Sequence, residues 1–218
     1  MLRNFQQGKL VGMLRLVPNI LTFGRLALTI VFLGMILYSP CAANKTSFLD
    51  AAFVIFLVAG LTDIVDGIAA RRFNVASKFG RMMDPLFDKI LVCGAFISFA
   101  LIGEPKLFGF GKVTLAVIQW SVALIVTARE VYVTALRHIA EARGINFSAT
   151  ASGKVKMFLQ SFAIGIVLMK MAHVPSAAWG HWFTVMTFVI MLAVTIMSGL
   201  RATQRRGWKE AVGKDKEI

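Results

Sequence analysis

Asp63-Ile64-Val65-Asp66-Gly67-Ile68-Ala69-Ala70-Arg71, then eight residues to Gly80, then Asp84-Pro85 and Asp88, joins two oily runs and decides how the chain is read. Four of the eleven acidic residues of the protein fall between Asp63 and Asp88. A carboxylate at the mouth of an apolar helix is costly unless it is paired or bound to a metal. On a helix, Asp63 and Asp66 are three apart, with Gly67 and Ala70 one and two turns on from Asp63, so these positions share a face. Asp84 and Asp88, four apart, share a face of the next helix. A short link lets the two helix ends meet as an αα-hairpin, where the four carboxylates converge. Oxygen donors in that number suit a hard divalent cation, and two such ions can hold the attacking and leaving oxygens of a phosphoryl transfer. Gly67 and Gly80 leave room for a substrate to approach the backbone. Arg71 offers a planar fork for phosphate. The structural alternative has Asp84 capping a helix that begins at Pro85, with Asp63 or Asp66 paired to Arg71 or Arg72.

Of the 218 residues, 57% are hydrophobic, more than a water-soluble domain carries. Apolar runs lie at roughly Leu16–Tyr38, Phe48–Ala70, Gly80–Ile102, Val113–Leu136, Val155–Ala172 and Trp179–Leu200. Each has about 18–24 residues, enough to span a bilayer. The pattern predicts an all-α integral membrane protein with six transmembrane helices, forming a single membrane domain over residues 1–218. Within it, 1–16 is expected as a short interfacial helix, about 17–200 as the six-helix core and 201–218 as a basic cytoplasmic tail. The basic start of the first run allows a secretory signal, but its spanning length and the five runs behind it favour a membrane helix.

Of the 24 Lys and Arg, only Lys45, Lys106, Lys112 and Lys170 fall on one side of this arrangement. Basic residues collect on the cytoplasmic side, which places both termini and the four aspartates there. The net charge of +13, in so oily a chain, suits anionic lipid heads and phosphate substrates. No nucleic-acid module and no basic stretch interleaved with aromatics is present, so no nucleic-acid partner is expected. Cys41 and Cys93 have no partner at metal or framework spacing and read as free thiols. His138, His173 and His181 are scattered and read as surface or interfacial residues.

Charges recur at the end of the fourth run and the start of the fifth. Arg129 and Arg137 are about two turns apart and point broadly the same way. Glu130 and Arg137 nearly eclipse. Lys154 and Lys156 are two apart and point to opposite sides of their helix, so one of them is expected to face a site. Three cations at one depth can receive a phosphate monoester. Anchoring and snorkelling at the membrane face is the preferred reading for Lys156 and Arg143. Arg129, inside its helix beside Glu130, is read as functional.

The pattern D-x2-D-G-x2-A-R-x8-G-x3-D-x3-D resembles the signature of the CDP-alcohol phosphotransferase family, and every defined position from Asp63 to Asp88 matches without insertion. Ala128-Arg129-Glu130, Leu136-Arg137 and Gly153-Lys154-Val155-Lys156 look like the phosphatidylglycerophosphate synthase branch, as does the opening Asn19, Thr22, Arg25. Met157 departs from that branch, which usually has Thr there. The resemblance implies a homodimeric membrane enzyme of bacterial inner-membrane type. It would transfer a phosphatidyl group from CDP-diacylglycerol to sn-glycerol 3-phosphate and release CMP. On that reading Asp63, Asp66, Asp84 and Asp88 hold two Mg2+ or Mn2+ ions, and Asp88 is the catalytic base. Asp63, Gly67, Ala70, Arg71 and Gly80 meet the lipid nucleotide. Arg129, Arg137 and Lys154 grip the acceptor phosphate, with Asn19, Arg25 and Lys156 as secondary candidates. Serine, inositol phosphate or phosphatidylglycerol are alternative acceptors, and the cations argue against serine. A cation-coupled transporter is a distant alternative. It predicts carboxylates near mid-bilayer, whereas these sit at helix ends.

Overall fold

The computed structural model describes residues 23–73, 78–143 and 151–204, except for the side chains of 63–73, 78–85, 141, 151 and 152. The expected interfacial helix over 1–16, Asn19 and the tail beyond Gln204 lie outside the described residues. Residues 23–38 form α1, followed by a 3-10 turn at Ser39–Cys41. The other helices are α2 (Lys45–Phe73), α3 (Lys78–Ile102), α4 (Lys112–Ala142), α5 (Ala151–His173) and α6 (Ala178–Thr203). No strand occurs among the described residues. The expected helix ends near Arg71 and Gly80 move closer together in the chain, because α2 runs on to Phe73 and α3 begins at Lys78.

Five segments are long and apolar enough to cross a membrane: Phe23–Cys41, Lys45–Thr62, Lys112–Ala140, Gly153–His173 and Ala178–Thr203. The other expected span lies on α3, whose first residues have no described side chains. Packing supports the same reading. On α6 the buried residues include Gly180, Thr184, Thr187, Thr195, Ser198, Gly199 and Ala202, while Trp179, Trp182, Met186, Val189, Ile190 and Leu200 face outward. Small and hydroxyl-bearing side chains inside, with bulky apolar ones outside, would be a poor arrangement in water and is the usual one in lipid. The protein is an all-α integral membrane protein.

The chain divides into two compact units, Met1–Ser98 and Phe99–Ile218. In the first, the buried stripe of α1 is Arg25, Thr29, Phe32 and Ile36, and that of α2 is Leu49, Ala52, Phe56 and Ala59. Both repeat at steps of three and four, the period of a helix with one packed face. Phe32 and Phe56 bring their ring centroids to 5.2 Å. The turn between these helices is closed locally: Ser39 Oγ donates to the Ile36 carbonyl at 2.7 Å, and Asn44 Oδ1 accepts from the Ser47 amide at 3.4 Å as a helix cap. Gly94 on α3 allows close approach to α1, because a Cβ there would lie 2.7 Å from Leu33 Cδ1.

In the second unit, α6 packs against both α4 and α5. Val122, Val126, Ala163, Ile164, Val167, Leu168 and Met191 form its apolar centre. The link between α3 and α4 is tied down by polar side chains from the helices. Lys170 Nζ donates to the carbonyls of Lys106, at 2.8 Å, and Pro175, at 3.1 Å, so one buried lysine holds two links. Gln119 Nε2 donates to the Pro105 carbonyl at 3.3 Å. Phe108, with a positive φ of 45°, turns its ring onto His181 and Trp182, with centroids at 5.2 and 5.0 Å. His181 is therefore buried beneath a ring and not a surface residue, because the backward turn of the link covers the start of α6. Cys41 and Cys93 are free of disulfides, as expected.

Candidate active site

Asp63, Asp66, Gly67, Ala70 and Arg71 fall on α2, and Gly80, Asp84 and Asp88 on α3. Of these side chains only that of Asp88 is among the described residues. Because α3 starts at Lys78, Asp84 sits inside the helix, which removes the reading of Asp84 as a cap in front of Pro85. No cluster of His, Cys, Asp or Glu that could hold a metal occurs among the described residues, and three of the four expected ligands lie outside them. The donor chemistry itself, four carboxylates without nitrogen or sulfur, suits Mg2+ or Mn2+.

Asp88 forms an ion pair with Arg25 of α1. Arg25 continues the buried stripe of α1 and is 2% exposed, while Asp88 is half-buried. A guanidinium so deep in an apolar stripe is tolerable because it meets a carboxylate. Thus a secondary candidate, Arg25, is in direct contact with the proposed base.

The second constellation gathers in the interior of the second unit. Arg129 Nη1 donates to Glu130 Oε1 at 3.2 Å, and Nη2 donates to Ser198 Oγ of α6 at 2.9 Å. Lys156 of α5 pairs with the same Glu130 oxygen. Glu130 and Lys156 are buried, and the Glu130 carbonyl accepts from Thr134 Oγ1 at 2.6 Å. Two cations thus meet at one carboxylate, with Glu130 and Lys156 buried and Arg129 half-buried. One donor there, Arg129 Nε, is buried without a hydrogen-bond partner.

This arrangement changes part of the reading from sequence. Of Lys154 and Lys156, the inward residue is Lys156, 4% exposed, whereas Lys154 is exposed. Snorkelling does not describe a lysine buried against a carboxylate. Glu130 meets Arg129 and Lys156, while Arg137 is half-buried and makes no ion pair among the described residues. Ser198 and Gln160 were not singled out from sequence. The available signal was the inner stripe of hydroxyl-bearing residues on α6, Thr184, Thr187, Thr195 and Ser198, in an otherwise oily helix.

The sequence pattern of the CDP-alcohol phosphatidyltransferase family matches residues 15–203. Among similar proteins, a probable phosphatidylglycerophosphate synthase of Mycobacterium tuberculosis is 29% identical over 89% of this chain and 84% of its own length. The CDP-diacylglycerol--glycerol-3-phosphate 3-phosphatidyltransferase of Bacillus subtilis is 30% identical over 84% of this chain and 90% of its own. The protein of the same name from Shigella flexneri is 32% identical, covering 85% and 91%. These matches run through both constellations and nearly the whole helical chain, and the protein is a membrane enzyme of the CDP-alcohol phosphatidyltransferase family.

Proposed function

We propose that this protein transfers the phosphatidyl group of CDP-diacylglycerol to sn-glycerol 3-phosphate, giving phosphatidylglycerophosphate and CMP. The similar proteins named for this reaction support the donor and the acceptor together. The observation that carries the acceptor is the meeting of two cations, Arg129 and buried Lys156, at Glu130 in the interior of the second unit. Serine offers such cations a single carboxylate and no phosphate, whereas glycerol 3-phosphate offers a doubly charged group. Residues 1–218 act as one membrane domain of six spans, with both termini and the site facing the cytoplasm of a bacterial-type inner membrane, and the enzyme works as a homodimer.

In the reaction a hydroxyl of glycerol 3-phosphate attacks the phosphorus that carries the diacylglycerol. A new P–O bond forms, the bond to CMP breaks, and CMP leaves as the anion. Asp88 takes the hydroxyl proton, with Arg25 holding its carboxylate in place. Asp63, Asp66 and Asp84, with Asp88, would hold two Mg2+ or Mn2+ ions, whose chemistry is to neutralise the diphosphate of the lipid donor. Gly67, Ala70 and Gly80 give the nucleotide close access to the backbone, and Arg71 meets a phosphate. Arg129, Arg137 and Lys154 receive the phosphate of the acceptor, with Asn19 and Lys156 as secondary candidates. Catalysis then rests largely on positioning and on charge neutralisation.

Purified protein, labelled CDP-diacylglycerol and a panel of acceptors test the proposal. CMP release should require glycerol 3-phosphate, cease on chelation and return with Mg2+ or Mn2+. Preference for serine, inositol phosphate or phosphatidylglycerol would overturn the acceptor, and full activity in chelator would overturn the metal.

A further inference from the structure

We infer that Ser198 on α6 and Glu130 on α4 are positioning residues of the acceptor subsite, which together fix the Arg129 guanidinium so that its Nε–H is the donor presented to phosphate. The inference rests on the reading of Arg129 as the receiver of the acceptor's phosphate. Arg129 lies across α6: a Cβ on Gly199 would come 3.4 Å from Arg129 Cγ. At its tip, Nη2 donates to Ser198 Oγ at 2.9 Å, and that hydroxyl donates in turn to the Thr195 carbonyl at 2.8 Å. The serine proton is thus committed to backbone, and its lone pairs are turned to the guanidinium. On the other side Nη1 donates to Glu130 Oε1, which Lys156 of α5 also holds. Three helices therefore set the direction of one guanidinium.

The remaining donor is telling. Arg129 Nε is buried and has no partner. A buried unpaired donor is costly, so a site that retains one gains when an anion takes it. A long side chain held in advance also loses less freedom when the ligand arrives, which is where affinity is gained. The phosphate lies at the end of the acceptor remote from the reacting hydroxyl. Loosening Arg129 should therefore appear in acceptor binding more than in turnover.

The test compares the wild type, Ser198→Ala and Ser198→Thr as purified full-length proteins. Ser198→Ala should raise KM for glycerol 3-phosphate about tenfold, the scale of a lost hydrogen bond to a charged group. Its KM for CDP-diacylglycerol should stay within about twofold, and Ser198→Thr should bring the acceptor KM back to within about threefold. An unchanged acceptor KM in Ser198→Ala, an equal rise in both KM values, or no recovery with Thr overturns the inference. Calorimetric titration with inorganic phosphate, without donor, separates this from the proposed function. A wild type that does not use glycerol 3-phosphate sinks that function, and the titration then decides the inference alone. About tenfold weaker phosphate binding by Ser198→Ala supports it, and equal binding or none in the wild type overturns it.

Discussion

Arg25 and Asp88, 63 positions apart in the chain, form an ion pair that joins α1 to α3. Each was notable in the sequence for its own reason, one as part of an opening motif and the other as the last aspartate of the signature. Their contact gives Arg25 a physical role, as a fixed cation against the carboxylate proposed as the base.

Asp88→Asn keeps the size of the side chain and one oxygen for Arg25 but removes the proton acceptor. CMP release should fall to background while the protein remains in the membrane in normal amounts. Arg25→Ala should lower kcat by roughly 100-fold, the scale of a misplaced catalytic group, with Arg25→Lys recovering part of it. Steady-state rates on purified protein check both, and normal turnover in Asp88→Asn would remove the base.

Glu130 is a counter-charge shared by Arg129 and Lys156. Glu130→Leu should cost about 3–5 kcal/mol, because it removes the carboxylate that Arg129 and the buried Lys156 share. Adding Lys156→Met should return a good part of that loss, since an apolar pair can replace a buried ion pair. Thermal unfolding in detergent reads both variants. A double variant no more stable than the single one would show that the pair is not coupled.

Arg137→Ala and Lys154→Ala test the other proposed phosphate ligands. Arg137 is half-buried and Lys154 is exposed. The first should raise the acceptor KM several-fold and the second by less, about twofold, because an exposed lysine acts through water and salt. An effect on the donor KM equal to that on the acceptor would count against their place at the acceptor phosphate.

Lys170→Met should loosen the two links that Lys170 ties through the carbonyls of Lys106 and Pro175. Two acceptors then lose a charged donor, at about 1.5–3 kcal/mol each. Faster hydrogen exchange or protease cutting at 103–111 and 174–177 is expected. Unchanged protection would mean that Gln119 and the Phe108–His181–Trp182 contacts suffice.

Apolar runs and the aspartate signature were legible because they depend on composition and spacing, which the linear chain carries in full. Bilayer thickness sets the length of an apolar run, and fixed spacing on a helix sets which aspartates share a face. The sequence by itself therefore determined the class of fold and the family. What only the tertiary structure decided were the partners: Arg25 with Asp88, Lys156 rather than Lys154 turned inward to Glu130, and Ser198 beneath Arg129. Helix periodicity tells that two lysines two apart diverge, but not which of the two faces meets a neighbour. A buried charge finds its partner through helix packing, and packing depends on side chains far away in the chain, such as the small and hydroxyl-bearing stripe of α6. His181 shows the same limit, since a turn at Phe108 buried a residue that its own neighbours in sequence left open.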